Sequence, residues 1–163
     1  MKKKRFIFLV LIPILLFFSG CDSTEENSSD ALALTPQDEQ RIEAYLDTRT
    51  EDISSPHQGG KMVSAFRILG TDADKIYLWM LKYEYLEQSH ELTNGVSLPV
   101  VLTIKTESDK IIIESHDFPK DGTEYGPSLK KLFPKNVRDS ISKNHNERVT
   151  ELEQIIMNRI NSN

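Results

Sequence analysis

The chain of 163 residues has a single cysteine, Cys21, so no disulfide can form within it and any folded domain must stand on packing alone. Long apolar runs are also scarce. The stretch from Phe6 to Phe18 covers 13 residues, one of them proline, against the roughly 20 that a permanent transmembrane helix needs. Sequence repeats are missing, which excludes a solenoid or propeller.

Signatures of chemistry are equally thin. His57, His90, His116 and His145 never pair at the spacing of a zinc-binding helix, and no cysteine is spare to help them, so no metal is expected. Gly59-Gly60 and Asp121-Gly122 are isolated from any glycine-rich fingerprint, so no nucleotide cofactor is implied. No Gly-x-Ser-x-Gly elbow is present. Ser128-Leu129-Lys130-Lys131 has the spacing of a serine acyl enzyme without its companion elements, and a capping serine is the better reading. Asp72-Ala73-Asp74-Lys75 lacks the glycine and later ligands of a calcium loop and reads as a turn. His116-Asp117 is the one histidine beside an acid. A hidden acid/base site there would draw on Asp121 and Tyr125 from the loop that follows.

What is present begins at the N-terminus. Lys2, Lys3, Lys4 and Arg5 precede the apolar run, and Ser19-Gly20-Cys21 closes it, the three-part pattern of an export signal. Phe18-Ser19-Gly20-Cys21 resembles the lipobox of bacterial lipoproteins, with Phe18 where that family usually has leucine. The resemblance implies cleavage before Cys21, acylation of that cysteine, and lipid anchoring on the extracytoplasmic face of the cell membrane. Two or more acyl chains give stable residence, where one gives marginal binding. Removing residues 1–20 would take four of the 20 Lys and Arg and none of the 25 Asp and Glu, leaving a formal charge of −9. Such a chain is repelled by nucleic-acid phosphates, so nucleic-acid binding is excluded and the lipid supplies the membrane contact.

Residues 21–34, the lipidated cysteine and an acidic polar stretch, read as a disordered tether. Residues 35–163 have the length of one domain. Thr35-Pro36-Gln37-Asp38 opens a helix over about Pro36 to Thr50, and the breaker-rich Ser54 to Gly60 is a loop. Four strands follow, Met62 to Leu69, Lys75 to Glu87, Leu98 to Thr106 and Lys110 to His116, with Thr93-Asn94-Gly95 ending the longer connection. In the second strand Ile76 to Leu81 is apolar on both faces and Lys82 to Tyr85 alternates. Its first half is therefore expected to be covered on both sides and its second half on one, with Trp79 buried. A short helix over about Ser128 to Leu132 precedes a helical region from Pro134. There Val137, Ile141, Val149, Leu152 and Ile156 share a face, and a break is expected near Asn144. The class is α+β: a four-stranded antiparallel meander packed against N-terminal and C-terminal helices in two layers.

Leu69-Gly70-Thr71 before Ile76-Tyr77-Leu78-Trp79, then Leu98 to Ile104, Pro119 to Tyr125 and Lys130-Lys131-Leu132-Phe133-Pro134, together resemble an uncharacterised extracytoplasmic domain of Gram-positive bacteria. That family occurs in small lipoproteins and as an appendage to some membrane-bound sensor metallopeptidases. The resemblance implies location and fold, and no chemistry. The leading expectation is a non-catalytic interaction or accessory domain that binds a protein, peptide or envelope component, with Tyr83, Tyr85 and Tyr125 as its candidate surface. Its rivals are an envelope hydrolase with a site near His116 and Asp117, and a small-ligand binding lipoprotein. The latter is disfavoured because one domain has no hinge to close around a solute.

Overall fold

The computed structural model describes residues 32–162; the export signal, Cys21 and most of the expected tether lie outside them. Helix α1 (Pro36–Thr48) starts where the sequence placed it, for a local reason. Thr35 Oγ1 accepts the Asp38 amide at 3.2 Å, and the Asp38 carboxylate accepts the Thr35 amide at 3.1 Å, a reciprocal capping box with Pro36 at the first helical position. The helix stops at Thr48, and Thr50 lies beyond it with its hydroxyl donating to the Leu46 carbonyl at 2.7 Å.

Strands β1 (Lys61–Asp72), β2 (Lys75–Leu86), β3 (Glu91–Glu107) and β4 (Lys110–Asp117) form one antiparallel sheet in the order β1-β2-β3-β4, the expected meander. Helices α2 (Tyr125–Leu132), α3 (Lys135–Ile141) and α4 (His145–Asn161) follow. The break near Asn144 is present: that residue caps α4 at φ 51°, a left-handed conformation that asparagine tolerates.

Three expectations are corrected. The helices do not share one layer. Alternation along β2 sends Ile76, Leu78 and Met80 to one face, packed on Ile42 and Leu46 of α1, and Tyr77, Trp79 and Leu81 to the other, packed on Phe133, Val137, Ile141, Leu152 and Ile156. The sheet is thus the middle of three layers, and Ile42 and Leu46, both 0% exposed, each add about 1.5–3 kcal/mol of burial. Next, Thr93-Asn94-Gly95 is strand, because β3 begins at Glu91 after a tight turn. Gly95 faces Tyr83, where a Cβ would stand 2.2 Å from the ring, so the glycine serves close packing rather than a turn.

Finally, the second half of β2 is covered on both sides. Lys82 and Glu84 are both 0% exposed beneath the segment that joins α1 to β1. The Lys82 ammonium donates to Thr50 Oγ1 at 2.8 Å and to the Thr50 carbonyl at 3.2 Å. The Glu84 carboxylate accepts the amides of Gln58, Gly60 and His57 at 2.8, 2.9 and 3.0 Å. Burial opposes its ionisation, and the amides of Gly60, His57 and Gln58 outweigh that, so its pKa lies below the ordinary 4.5. Lys82, by contrast, is pushed below its ordinary value by burial, which the more distant carboxylates of Asp47, Asp52 and Glu51 only partly offset.

Candidate functional site

His116 sits at the end of β4 on the α1 face, opposite Leu102 of β3. Its Nε2 lies 2.9 Å from Asp52 Oδ1 and 3.2 Å from Oδ2, and its Nδ1 lies 3.0 Å from the Tyr45 hydroxyl. In the tautomer protonated on Nε2, the ring donates to Asp52 and accepts from Tyr45. Tyr45 meets the imidazole edge-on at 5.7 Å and Phe118 stacks on it at 6.4 Å, leaving the histidine side chain 11% exposed while Asp52 remains 60% exposed. Burial raises the Tyr45 pKa, with the Arg49 charge opposing and Asp52 adding to the effect, so the phenol stays protonated.

The companions expected from the sequence are elsewhere. Asp117 is exposed, since strand alternation turns it away from the face His116 occupies, and Asp121 is exposed ahead of the 3₁₀ turn Gly122–Glu124. The bonded partners of His116 come from α1 and the turn after it, 71 and 64 residues away in sequence. Nothing local in the sequence marks Tyr45 and Asp52 for this role.

The candidate aromatic surface divides. Tyr83 packs against the α4-side core and its hydroxyl donates to Glu153 of α4 at 3.2 Å, with burial and the Glu153 charge raising its pKa. Tyr85, half-buried at the far end of β2, bonds His90 Nδ1 through its hydroxyl at 2.8 Å. Tyr125 is 39% exposed at the start of α2. Among the described residues no hydrogen bond or ring contact joins these three tyrosines. The shared strand parity of Tyr83 and Tyr85 is readable in the sequence, whereas the helix lying over Tyr83 is not.

The remaining candidates are structural. Ser128 Oγ donates to the carbonyls of Glu124 and Tyr125 at 2.6 and 3.0 Å and accepts the Lys120 amide at 3.0 Å, tying the loop to α2. His145 meets Trp79 edge-on at 5.1 Å. Arg148, buried at 4% exposure, lies 4.8 Å over the Trp79 ring and donates to the carbonyls of Lys143 and Ser140 at 2.6 and 2.8 Å, closing the turn between α3 and α4. No group of three or more metal-ligating side chains occurs among the described residues, and no helix among them is long and apolar enough to cross a membrane. No family model matches the chain, and neither a curated protein nor a solved structure matches it significantly.

Proposed function

We propose that this chain is a bacterial lipoprotein, anchored by lipid on Cys21 at the extracytoplasmic face of the cell membrane, whose domain is a non-catalytic accessory or interaction module. The address rests on the basic start, the 13-residue apolar run and Ser19-Gly20-Cys21. The non-catalytic reading rests on one observation: the best acid/base candidate, His116, is only 11% exposed, with Nε2 on Asp52 and Nδ1 on the Tyr45 phenol, whose ionisation burial opposes. A general base needs a nitrogen within reach of a substrate proton, and the neighbouring phenol is shifted away from the ionisation that would make it a nucleophile. The arrangement instead clasps α1 and its following turn to the end of β4.

The address is tested by mass spectrometry of the mature N-terminus from membranes. A diacylated Cys21 is expected, and Cys21→Ala should leave unprocessed precursor or protein released to the medium. An unlipidated mature N-terminus sinks the reading. The non-catalytic half is tested with His116→Ala, which should cost about 1–3 kcal/mol of stability through the orphaned partners and abolish no envelope phenotype at temperatures where it remains folded. Loss of phenotype with folding intact, or stabilisation by divalent metal that His116→Ala removes, would instead favour a hydrolase site.

A further inference from the structure

Strand β1 is one edge of the sheet, and the way its outer side is covered changes along its length. At Ser64 both outward groups are taken: the amide donates to Asp47 Oδ1 at 2.7 Å, and the carbonyl accepts from Arg159. Arg159 also reaches Asp47 at 2.8 Å and Glu43 at 3.0 Å, so α1 and α4 close over the edge at this point. In an antiparallel ladder every second residue turns its N–H and C=O the same way, so those of Phe66 and Ile68 also face out of the sheet. Among the described residues they have no hydrogen-bond partner.

Beyond Ser64 a groove of about 550 Å3 follows Ala65 to Ile68 between the two helices. Its α1 wall presents Pro36, Glu39, Gln40 and Glu43, and its α4 wall presents Ile155, 43% exposed. The two walls differ in chemistry. Glu43 and Asp47 share the one guanidinium of Arg159, Arg67 is paired with Glu151, and Glu39 has no ion-pair partner among the described residues. Four carboxylates thus face two guanidiniums around the groove, and the excess negative charge lies on the α1 side.

We propose that this groove binds an extended peptide with alternating basic and apolar residues, which adds to β1 as a fifth strand. Its backbone pairs with Phe66 and Ile68. Alternation then points one row of side chains at Glu39 and Glu43 and the other at Ile155, so the first row is basic and the second apolar. The chain's own segment Asp22 to Asp30 carries only acidic charges and is repelled by the α1 wall. The opposite edge, β4, is less suited: the outer amide of Ile111 is taken by Asp38 at 3.3 Å, and exposed Lys110, Glu114 and Asp117 keep that strand solvated. The proposal rests on the reading of the domain as a binding module and names its surface and partner.

The test uses the full lipoprotein in phosphatidylcholine nanodiscs, titrated against a labelled peptide of alternating valine and lysine and followed by fluorescence anisotropy. Saturable binding is expected, weakened by salt. It should fall about ten-fold in Glu39→Lys and in Ile155→Lys at unchanged melting temperature, and disappear when alternate peptide nitrogens are methylated. Equal binding of a valine–glutamate peptide, indifference to N-methylation or to both variants, or no binding at all would overturn it. So would sedimentation showing a dimer that Ile155→Lys dissociates and the peptide cannot disrupt, since a second copy would then fill the groove. Crosslinking on the native membrane separates the two levels of inference. A specific partner still captured by Ile155→Lys sinks the groove and leaves the binding module standing. A catalytic phenotype at His116 with no partner captured sinks the module itself.

Discussion

Truncating Trp79 to alanine removes the ring on which the α4 side of the domain is assembled. Trp79 is 5% exposed, packs in one cluster with Ala65, Leu81, Leu152 and Ile156, and donates through Nε1 to Ser97 Oγ at 2.9 Å. Truncation of a buried aromatic costs about 3–5 kcal/mol through lost transfer energy and the cavity left behind. The same ring faces the Arg148 guanidinium at 4.8 Å, a contact worth about 0.5–2 kcal/mol that truncation also removes. Together these take away about 3.5–7 kcal/mol, a large share of the 5–15 kcal/mol typical of a domain. For a domain of this length that lowers the melting temperature by about 10–35 °C, read by circular dichroism at 222 nm. Trp79→Phe keeps most of the packing and leaves the exposed Ser97 hydroxyl to water, so it should cost only about 1 kcal/mol. A double-mutant cycle of Trp79→Leu with Arg148→Met, in which neither single variant keeps the contact, then isolates the ring–guanidinium coupling. A Trp79→Ala protein melting within about 3 °C of the parent would refute the packing argument, because no buried indole could be lost so cheaply.

Glu84 and Gly95 give two further tests. The Glu84 pKa is lowered in the folded state, so its contribution is fully present above the unfolded carboxyl value and is lost as pH falls through the lower folded one. Glu84→Gln should therefore lower the urea midpoint at pH 7 and flatten its fall between about pH 5 and pH 3, and an unchanged acid-side slope would contradict this. Gly95→Ala should cost about 1–3 kcal/mol, because the new methyl overlaps the Tyr83 ring, and should become nearly neutral in a Tyr83→Ala background. Equal costs in both backgrounds would show that the ring is not what requires the glycine.

The parts of the fold legible in the sequence are those decided within a few residues. Thr35, Pro36 and Asp38 fix the start of α1 through bonds spanning three positions, and Asn144 breaks the C-terminal region by its own backbone preference. The alternation of β2 shows two apolar faces at Ile76 to Leu81 but does not say which helix covers each, so the pattern alone leaves two layers and three equally open. Lys82 and Glu84 look like a solvated face because charge normally means water. Their partners, Thr50 and the amides of residues 57–60, lie 24 to 32 positions upstream, and only the folded chain brings them over the strand. At Thr93-Asn94-Gly95 a turn signal was present and overridden, since the Tyr83 ring needs the space a glycine leaves. The candidate site followed the same rule: His116 stood out by its type, whereas its true neighbours arrived from α1 and the turn beyond.

The position of the β1 groove follows from where the chain enters the domain. Leu32 and Leu34 pack on the α1-side core, and Pro36, the first residue of α1, lines the groove's open end. The stretch that would link this point to an acylated Cys21 is residues 22–31, which span at most about 35 Å even when fully extended. On the proposed anchor, the open end of the groove is therefore the part of the domain tied closest to the lipid. The end closed by Arg159 lies further along α1, at Glu43 and Asp47. A strand entering from the membrane side meets Glu39 before Glu43, so its first basic residue finds the carboxylate without an ion-pair partner among the described residues. Such an arrangement favours segments already held near the bilayer, because confinement raises their effective concentration without any added contact energy.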